Sequence, residues 1–291
     1  MRVAVFGATG TIGAALLPLL AESHEVVGIS RGQHDDAEGV EWRQADAIDP
    51  EAVQRALDGV EVAYYLVHSL GSADFEDRDL RAASTIAAEA ERAGVRQLIY
   101  LGGLGDSEAE LSPHLRSRIE TGRRLETGAV PVTTLRAAIV VGPGSAAFET
   151  VVALVDRLPA MICPRWVGVP TQPIALRDTI AYLAGVCGRK EAFGRSYDIG
   201  GPEVMTYREM IERIAKLRGK RPLIVEVPFL TPRLSSYWLH LVTPVKAAVA
   251  RPLIEGLRAP TIAREHEIAE LVPLEGTPFD DAARLALEGK I

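Results

Sequence analysis

The chain has 291 residues, of which 47% are hydrophobic and 24% charged, and its formal net charge is −7. This composition excludes a disordered chain, a collagen-like repeat and a small disulfide scaffold. The acidic balance opposes binding to a nucleic-acid backbone, which needs clustered Lys and Arg. We expect one main α/β domain and a smaller lobe.

The N-terminal residues lead directly into a glycine motif, without the charged and apolar regions of a secretory signal. We therefore expect a cytoplasmic protein. Cys163 and Cys187 are typical of packed, reduced thiols, and the scattered histidines have no metal-ligand spacing. We expect neither a metal site nor a segment that spans a membrane, because charges and prolines interrupt the longest apolar stretch.

Apolar β-branched runs alternate with longer helical patterns through the first half of the chain. These patterns predict strands over residues 3–6, 25–30, 62–67, 97–101 and 132–141, and helices over 14–20, 50–57 and 79–93. Such βαβ units form a doubly wound parallel sheet that binds ligands at the carboxyl ends of its strands. The predicted class is α/β, with a Rossmann-type domain over residues 1–142.

Prolines become frequent and the elements become shorter after residue 142. We assign residues 143–291 to a smaller C-terminal lobe of mixed structure, from which a strand near 196–200 returns to the main sheet. Thr206 is expected to cap a helix over 207–217. Trp166, Tyr237 and Trp238 are expected either to line an apolar cleft or simply to pack the lobe.

Three glycines, Gly7, Gly10 and Gly13, separate the first predicted strand from the first helix. Gly7 can form a tight turn, Gly10 lets a pyrophosphate approach the backbone, and Gly13 lets the helix pack on the strand. The helix N-terminus adds amide donors and the positive end of its dipole. The motif predicts a dinucleotide site.

Arg31 follows the second strand, where an NAD-specific site would have Asp or Glu. A guanidinium can pair with a 2′-phosphate and stack on adenine, so the sequence favours NADP(H) over NAD(H). The alternative is a solvated surface arginine. Asp46, at the end of the run 40–46, is placed to meet the adenine amino group, or else to cap a turn.

Together with residues 98–103 and 135–138, these motifs make the chain similar to the atypical short-chain dehydrogenase/reductase superfamily. NmrA-like proteins and the accessory NADPH-binding subunit of respiratory complex I are the nearest groups, and the resemblance covers essentially the whole chain. It implies that the pyrophosphate of the cofactor lies against Gly7, Thr9, Gly10, Thr11, Ile12 and Gly13. It implies that the 2′-phosphate lies against Ser30 and Arg31, and the adenine against Asp46 and Ala47. It further implies that Leu66, Val67 and His68 lie beside the adenine ribose, Leu101, Gly102 and Gly103 near the nicotinamide ribose, and Ala137, Ala138 and Ile139 at the nicotinamide.

The catalytic residues of that superfamily are replaced in this sequence. Its catalytic members have a Ser at the end of the fifth strand and Tyr-x-x-x-Lys on the next helix, where the Lys lowers the pKa of the Tyr. Gly102 or Gly103 stands at the Ser position, and aligning Ser117-Arg118 with the usual Ser-Lys puts His114 at the Tyr and Arg118 at the Lys.

The spacing of His114 and Arg118 places them one turn apart on one helical face. Arg118 is then a candidate for holding ribose hydroxyls, and His114 for acting as an acid. The alternative for His114 is a role on the helix surface or in capping. His68 is a weaker candidate for contact with the substrate, and the acidic run Asp74, Glu76, Asp77 and Asp79 is expected to open a helix and to face solvent.

The sequence thus predicts an NADP(H)-binding oxidoreductase that acts on a small apolar carbonyl, enone or quinone-like substrate. The alternative is a non-catalytic NADPH-binding module, regulatory or structural, because both the Ser and the Tyr are missing. A small-molecule substrate is the expected partner, and the sequence leaves a homo-oligomer or a second protein open.

Overall fold

The structure is a computed structural model that describes residues 1–36, 39–68, 75–105, 112–227 and 259–291. Tyr237 and Trp238, predicted to lie in the cleft or the lobe, fall outside the described residues, as does Asp74 of the acidic run.

Strands and helices alternate through the first half of the chain and become shorter in the second. The strands are β1 (Arg2–Phe6), β2 (Glu25–Ser30), β3 (Val40–Gln44), β4 (Val62–Tyr65), β5 (Gln97–Gly103), β6 (Val132–Ala137), β7 (Val140–Val141), β8 (Ala160–Pro164), β9 (Pro170–Thr171), β10 (Ile174–Ala175), β11 (Ser196–Ile199), β12 (Met205–Thr206) and β13 (Leu223–Val227). The helices are α1 (Thr11–Ala21), α2 (Pro50–Ala56), α3 (Phe75–Arg92), α4 (Pro113–Leu125), α5 (Ala146–Arg157), α6 (Leu176–Gly185), α7 (Tyr207–Leu217), α8 (Ile268–Leu271) and α9 (Phe279–Leu287).

Seven parallel strands form the central sheet, in the order β11-β6-β5-β4-β1-β2-β3. The chain runs outward from β1 to β3 and then returns to β4, which pairs with β1 on its other side. The strand order therefore reverses between β1 and β4, which is where open α/β sheets bind their ligands.

Helices cover both faces of this sheet, because the strands are apolar on both sides. Val3 and Val5 of β1 pack with α1 and α6 on one face, while Ala4 and Phe6 pack with α2 and α3 on the other. The expected α/β class, a Rossmann-type doubly wound sheet with a smaller mixed lobe, is confirmed.

The strand predicted over residues 132–141 is in fact two strands in different sheets. β6 pairs with β5 and β11 and ends at Ala137. β7 instead pairs with β10 in the lobe. Residues 138 and 139 carry the chain from one sheet to the other, and hydrophobic periodicity cannot register such a change of partner.

The lobe has its own apolar core, in which α5, α7 and α9 contribute Phe148, Met210 and Ala283. As predicted, Thr206 caps α7: its hydroxyl accepts from the Glu209 backbone N–H, while the Glu209 carboxylate accepts from the Thr206 backbone N–H. β11 joins the central sheet beside β6. We keep as a proposal that residues 1–142 and 143–291 form two domains.

Among the described residues, every helix is too short or too polar to cross a lipid bilayer.

Candidate functional site

The turn after β1 has the geometry that a bound phosphate requires. Gly7 has a positive φ of 83°, and its N–H donates to the Ile29 carbonyl of β2. A Cβ on Gly7 would lie 2.9 Å from the Leu66 carbonyl oxygen, and one on Gly13 would clash with the Gly7 carbonyl. Gly10 precedes the first residue of α1, no side chain caps this helix, and the amides of a first helical turn have no partners within the helix.

A cleft of about 480 Å³ opens along the carboxyl ends of β1, β2 and β4, beside this turn. We call it the strand-end cleft. It is lined by ten of the residues predicted for the cofactor, namely Gly7, Thr9, Gly10, Ser30, Arg31, Asp46, Ala47, Leu66, Val67 and His68. Its position at the strand ends and its glycine turn fit the adenosine and phosphate portion of a dinucleotide.

The far end of the strand-end cleft carries charges of both signs. Arg31 is exposed there, and its carbonyl accepts from Gln44 Nε2 at 2.8 Å. The Asp46 carboxylate accepts from Arg78 Nη2 at 2.7 Å, so this carboxylate is held by a cation of α3 rather than standing alone. Arg78 also lines the cleft and is a second candidate for contact with an anionic group.

A second cavity, of about 380 Å³, lies between the ends of β5 and β6 and the lobe. We call it the apolar cavity. The remaining predicted residues except Gly13 line it, namely Thr11, Ile12, Leu101, Gly102, Gly103, His114, Arg118, Ala137, Ala138 and Ile139. His68 lines both cavities, which places its ring at their junction.

The lobe closes the far side of the apolar cavity. The Thr11 hydroxyl of α1 donates to the Gly144 carbonyl at 2.8 Å, which ties the first helix to the loop before α5. Buried Tyr207 at the start of α7 also lines the cavity, as does Thr261, whose hydroxyl hydrogen-bonds with that of Thr171 at 2.8 Å. The cavity therefore has mostly aliphatic walls, with imidazoles and a guanidinium on the sheet side and hydroxyls on the lobe side.

Two histidines and an aspartate form a hydrogen-bonded chain at the edge of this cavity. His68 Nδ1 lies 2.7 Å from Asp79 Oδ2, and His68 Nε2 lies 3.0 Å from His114 Nδ1. Asp79 belongs to α3, His68 follows β4, and His114 belongs to the first turn of α4, which Ser112 caps. The fold therefore brings together side chains from three separate elements.

Burial governs the charge of the two imidazoles. Desolvation lowers the pKa of His114 to about 3, and the nearby His68 and Arg118 act in the same direction. Desolvation also lowers the pKa of His68, although its hydrogen bond to Asp79 opposes that shift. Both rings are therefore neutral near pH 7.

Arg118 is held against the sheet rather than extended into the cavity. Its Nη2 donates to the Leu101 carbonyl, and its guanidinium carbon lies 5.3 Å from the centre of the Tyr100 ring. The Tyr100 hydroxyl in turn donates to the Arg118 carbonyl at 2.9 Å. These contacts fix the cation one turn of α4 beyond His114.

Gly103, one of the two glycines at the usual Ser position of β5, has no room for a larger side chain. A Cβ on Gly103 would lie 2.5 Å from Leu115 Cδ1, whereas one on Gly102 would meet its neighbours at 3.4 Å or more. Leu115 of α4 therefore occupies the space of a side chain at Gly103.

The acidic run contains the main error of the sequence-based expectations. It opens α3 as predicted, and Glu76 and Asp77 are exposed, but Asp79 is only 2% exposed and pairs with His68. Arg78 and Tyr207, which line the two cavities, were not predicted as site residues. Asp79 and Arg78 could not be recognised as site residues from the sequence, because solvated charges are common near the start of a helix.

Within the part of the chain that the structure describes, no three His, Cys, Asp or Glu side chains are arranged to hold a metal ion.

The chain is similar to several known proteins. The family described as NAD(P)H-binding matches residues 7–127. A (4-alkanoyl-5-oxo-2,5-dihydrofuran-3-yl)methyl phosphate reductase from Streptomyces griseus is 28% identical over 235 residues, which are 77% of this chain and 76% of that protein. A NADH dehydrogenase [ubiquinone] 1 alpha subcomplex subunit 9 from Arabidopsis thaliana is 24% identical over 77% of this chain and 60% of its own length.

The solved structure of an NADPH-dependent quinone oxidoreductase from Escherichia coli, complexed with NADPH, superposes with a TM-score of 0.76. The two are 21% identical and cover 97% of this chain and 98% of the other. The expected resemblance to NAD(P)H-binding proteins is confirmed, because residues 7–127 match that family and the chain shares the fold of this solved structure.

Proposed function

We propose that the protein is an NADP(H)-dependent oxidoreductase that reduces a small apolar carbonyl, enone or quinone-like substrate. The observation that carries this proposal is the apolar cavity, which adjoins the strand-end cleft and has ionisable rings at the junction. When bound, the cofactor supplies the hydride. The aliphatic walls favour an apolar substrate and exclude water from the transfer.

The residues divide into three tasks. The glycine turn and the start of α1 hold the pyrophosphate, and Arg31 holds the 2′-phosphate. Arg118, fixed on Leu101 and Tyr100, orients the ribose near the nicotinamide. His114 exchanges a proton with the substrate oxygen, in the position where the superfamily has Tyr.

The activities of two similar proteins support a reductase of conjugated carbonyl compounds. The Streptomyces griseus relative is a reductase of an oxo-dihydrofuran bearing an alkanoyl group, and the Escherichia coli structure is a quinone oxidoreductase. Both substrate types accept a hydride into a conjugated system that ends on oxygen. We therefore extend this class of substrate to the present protein.

NADPH consumption with a panel of quinones, enones and aldehydes tests the proposal. Sustained oxidation of many equivalents of NADPH per protein supports an enzyme. Tight binding of NADPH without turnover on any of these substrates contradicts it and supports the alternative, a regulatory or assembly module. The replaced Ser and Tyr and the similarity to a respiratory complex subunit are the observations that favour this alternative.

Cofactor preference depends on Arg31 in this proposal. Wild-type protein is expected to bind NADP(H) more tightly than NAD(H), and Arg31→Asp is expected to lose roughly 30- to 150-fold in NADPH affinity, the worth of a charge-assisted hydrogen-bonded pair. Titration calorimetry with both cofactors measures this change. Arg124→Asp, on α4 outside both cavities, alters the net charge equally and should leave the preference unchanged. Equal wild-type affinities for the two cofactors would contradict the role of Arg31.

The pH dependence of reduction follows from the lowered pKa of His114. Because this pKa is about 3, the fraction of protonated His114 rises as the pH falls through the neutral range. Turnover limited by the proton is therefore expected to rise about tenfold per pH unit between about pH 8 and pH 5. The reverse oxidation needs the neutral ring and should stay level there. A reduction rate that is flat over this range would contradict proton donation by His114.

A further inference from the structure

The Asp79–His68–His114 chain constrains where its protons lie. An ionised carboxylate can only accept hydrogen bonds, so the 2.7 Å contact with Asp79 Oδ2 places a proton on His68 Nδ1. In the neutral ring Nε2 is then an acceptor, and the 3.0 Å contact requires His114 Nδ1 to carry the next proton. The remaining nitrogen, His114 Nε2, is left unprotonated on a residue that lines the apolar cavity.

We propose that Asp79, His68 and His114 form a proton relay, in which His114 Nε2 exchanges the proton with the substrate oxygen and Asp79 and His68 are positioning residues. This inference rests on the proposed function and adds the residues that govern its proton step. Asp79 has the burial that such a role needs, because a carboxylate that is 2% exposed is shielded from competing water.

The relay balances the proton of a carbonyl reduction. His114 Nε2 first takes a proton from solvent, and the Nδ1 proton can then shift to His68 Nε2, so that the positive charge lies beside Asp79. The substrate carbon gains the hydride as the C=O π bond breaks, and its electron pair moves to oxygen. That oxygen takes the proton from Nε2 while the Nδ1 proton returns to His114, which restores the starting chain.

Other charged and titratable groups around Asp79, His68 and His114 keep both imidazole rings neutral before the reaction. Arg118 of α4 opposes a second positive charge on either ring, and burial acts in the same direction on the pKa of both histidines. The hydroxyls of Tyr65 on β4 and Tyr100 on β5 have pKa values raised by burial, so they stay protonated at neutral pH. Asp79 is therefore the group that determines the direction of the hydrogen bonds.

Nitrogen-15 NMR of the histidine rings tests the relay in cofactor-free wild-type protein. The chemical shift of a ring nitrogen distinguishes a protonated from an unprotonated atom. At neutral pH we expect both His114 and His68 to carry a proton on Nδ1 and none on Nε2. The opposite tautomer of His114 would overturn the relay whether or not a substrate is found, so its failure is distinguishable from failure of the proposed function.

Asp79→Asn tests the positioning role. An amide can either accept from or donate to His68 Nδ1, so both rings should lose their single tautomer in the NMR spectrum. Reductive turnover should fall by about 10²–10⁴-fold, the usual worth of a positioned acid–base group, with little change in NADPH affinity. Unchanged tautomers and turnover would overturn the role of Asp79.

Glu89→Gln is the matched control for that variant. Glu89 lies on the same helix, is equally 2% exposed, and pairs with Arg92 at 2.7 Å away from both cavities. Its loss should lower stability and leave the histidine tautomers and the pH profile as in the wild type. A tautomer change in this control as large as that in Asp79→Asn would assign the effect to general loss of a buried carboxylate and overturn the proposal.

Discussion

Replacement of Gly10 by Val is expected to abolish NADPH binding while the protein stays folded. The φ of Gly10 is −79°, which any residue adopts, and an added Cβ would meet only the Gly7 carbonyl oxygen, at 3.2 Å. The branched methyls would instead project into the strand-end cleft, where a pyrophosphate must approach the backbone. Binding by calorimetry and the shift in Tm on adding NADPH should both disappear.

Gly13→Ala separates this effect from damage to the fold. A Cβ on Gly13 would clash with backbone atoms of Gly7 and Ala8, so this variant should lose about 1–3 kcal/mol of stability before any cofactor is added. Its Tm without NADPH should fall, whereas that of Gly10→Val should stay close to the wild type. A Gly10→Val protein that keeps the full Tm increase with NADPH would place the phosphate elsewhere.

Replacement of His114 by Gln is expected to reduce turnover by about 10²–10⁴-fold with NADPH affinity nearly intact. Glutamine can keep a hydrogen bond to His68, but it cannot exchange a proton with a substrate oxygen near neutral pH. The expected change therefore lies in kcat rather than in the Kd for NADPH. The remaining activity should also lose the rise toward acidic pH.

His266→Gln provides the control for the loss of a histidine. His266 is exposed and lines neither cavity, so its replacement should leave kcat, Kd and the pH profile as they are. If His114→Gln reduces kcat by less than a few-fold, hydride transfer proceeds without a proton from this side chain.

Local sequence signals predicted the parts of the fold that depend on neighbouring residues. The glycine spacing located the turn after β1, and the Thr206 cap marked the start of α7. These features are decided within a few residues by backbone sterics and by capping hydrogen bonds. Most of the residues that line the strand-end cleft were expected from the resemblance to a known superfamily, and they lie together because parallel strands end at a common edge of the sheet.

The contacts that the sequence did not predict all join distant residues. Asp79 looked like a solvated acid of a first helical turn, and only the course of the chain after β4 brings His68 against it. Arg78 and Asp46 are 32 positions apart, and Thr171 and Thr261 are 90 apart. Periodicity reports which face of an element is apolar, but not which polar side chain of another element it will meet.

Because His68 lines both the strand-end cleft and the apolar cavity, the proposed relay adjoins the proposed cofactor site. Thermodynamic linkage then requires NADPH binding and protonation of His68 to affect each other equally. By whatever factor bound NADPH changes the proton affinity of this imidazole, protonation of the imidazole must change the affinity for NADPH by the same factor. One coupling free energy therefore links NADPH binding to protonation of His68. A pH series of NADPH dissociation constants measures this coupling free energy without any substrate.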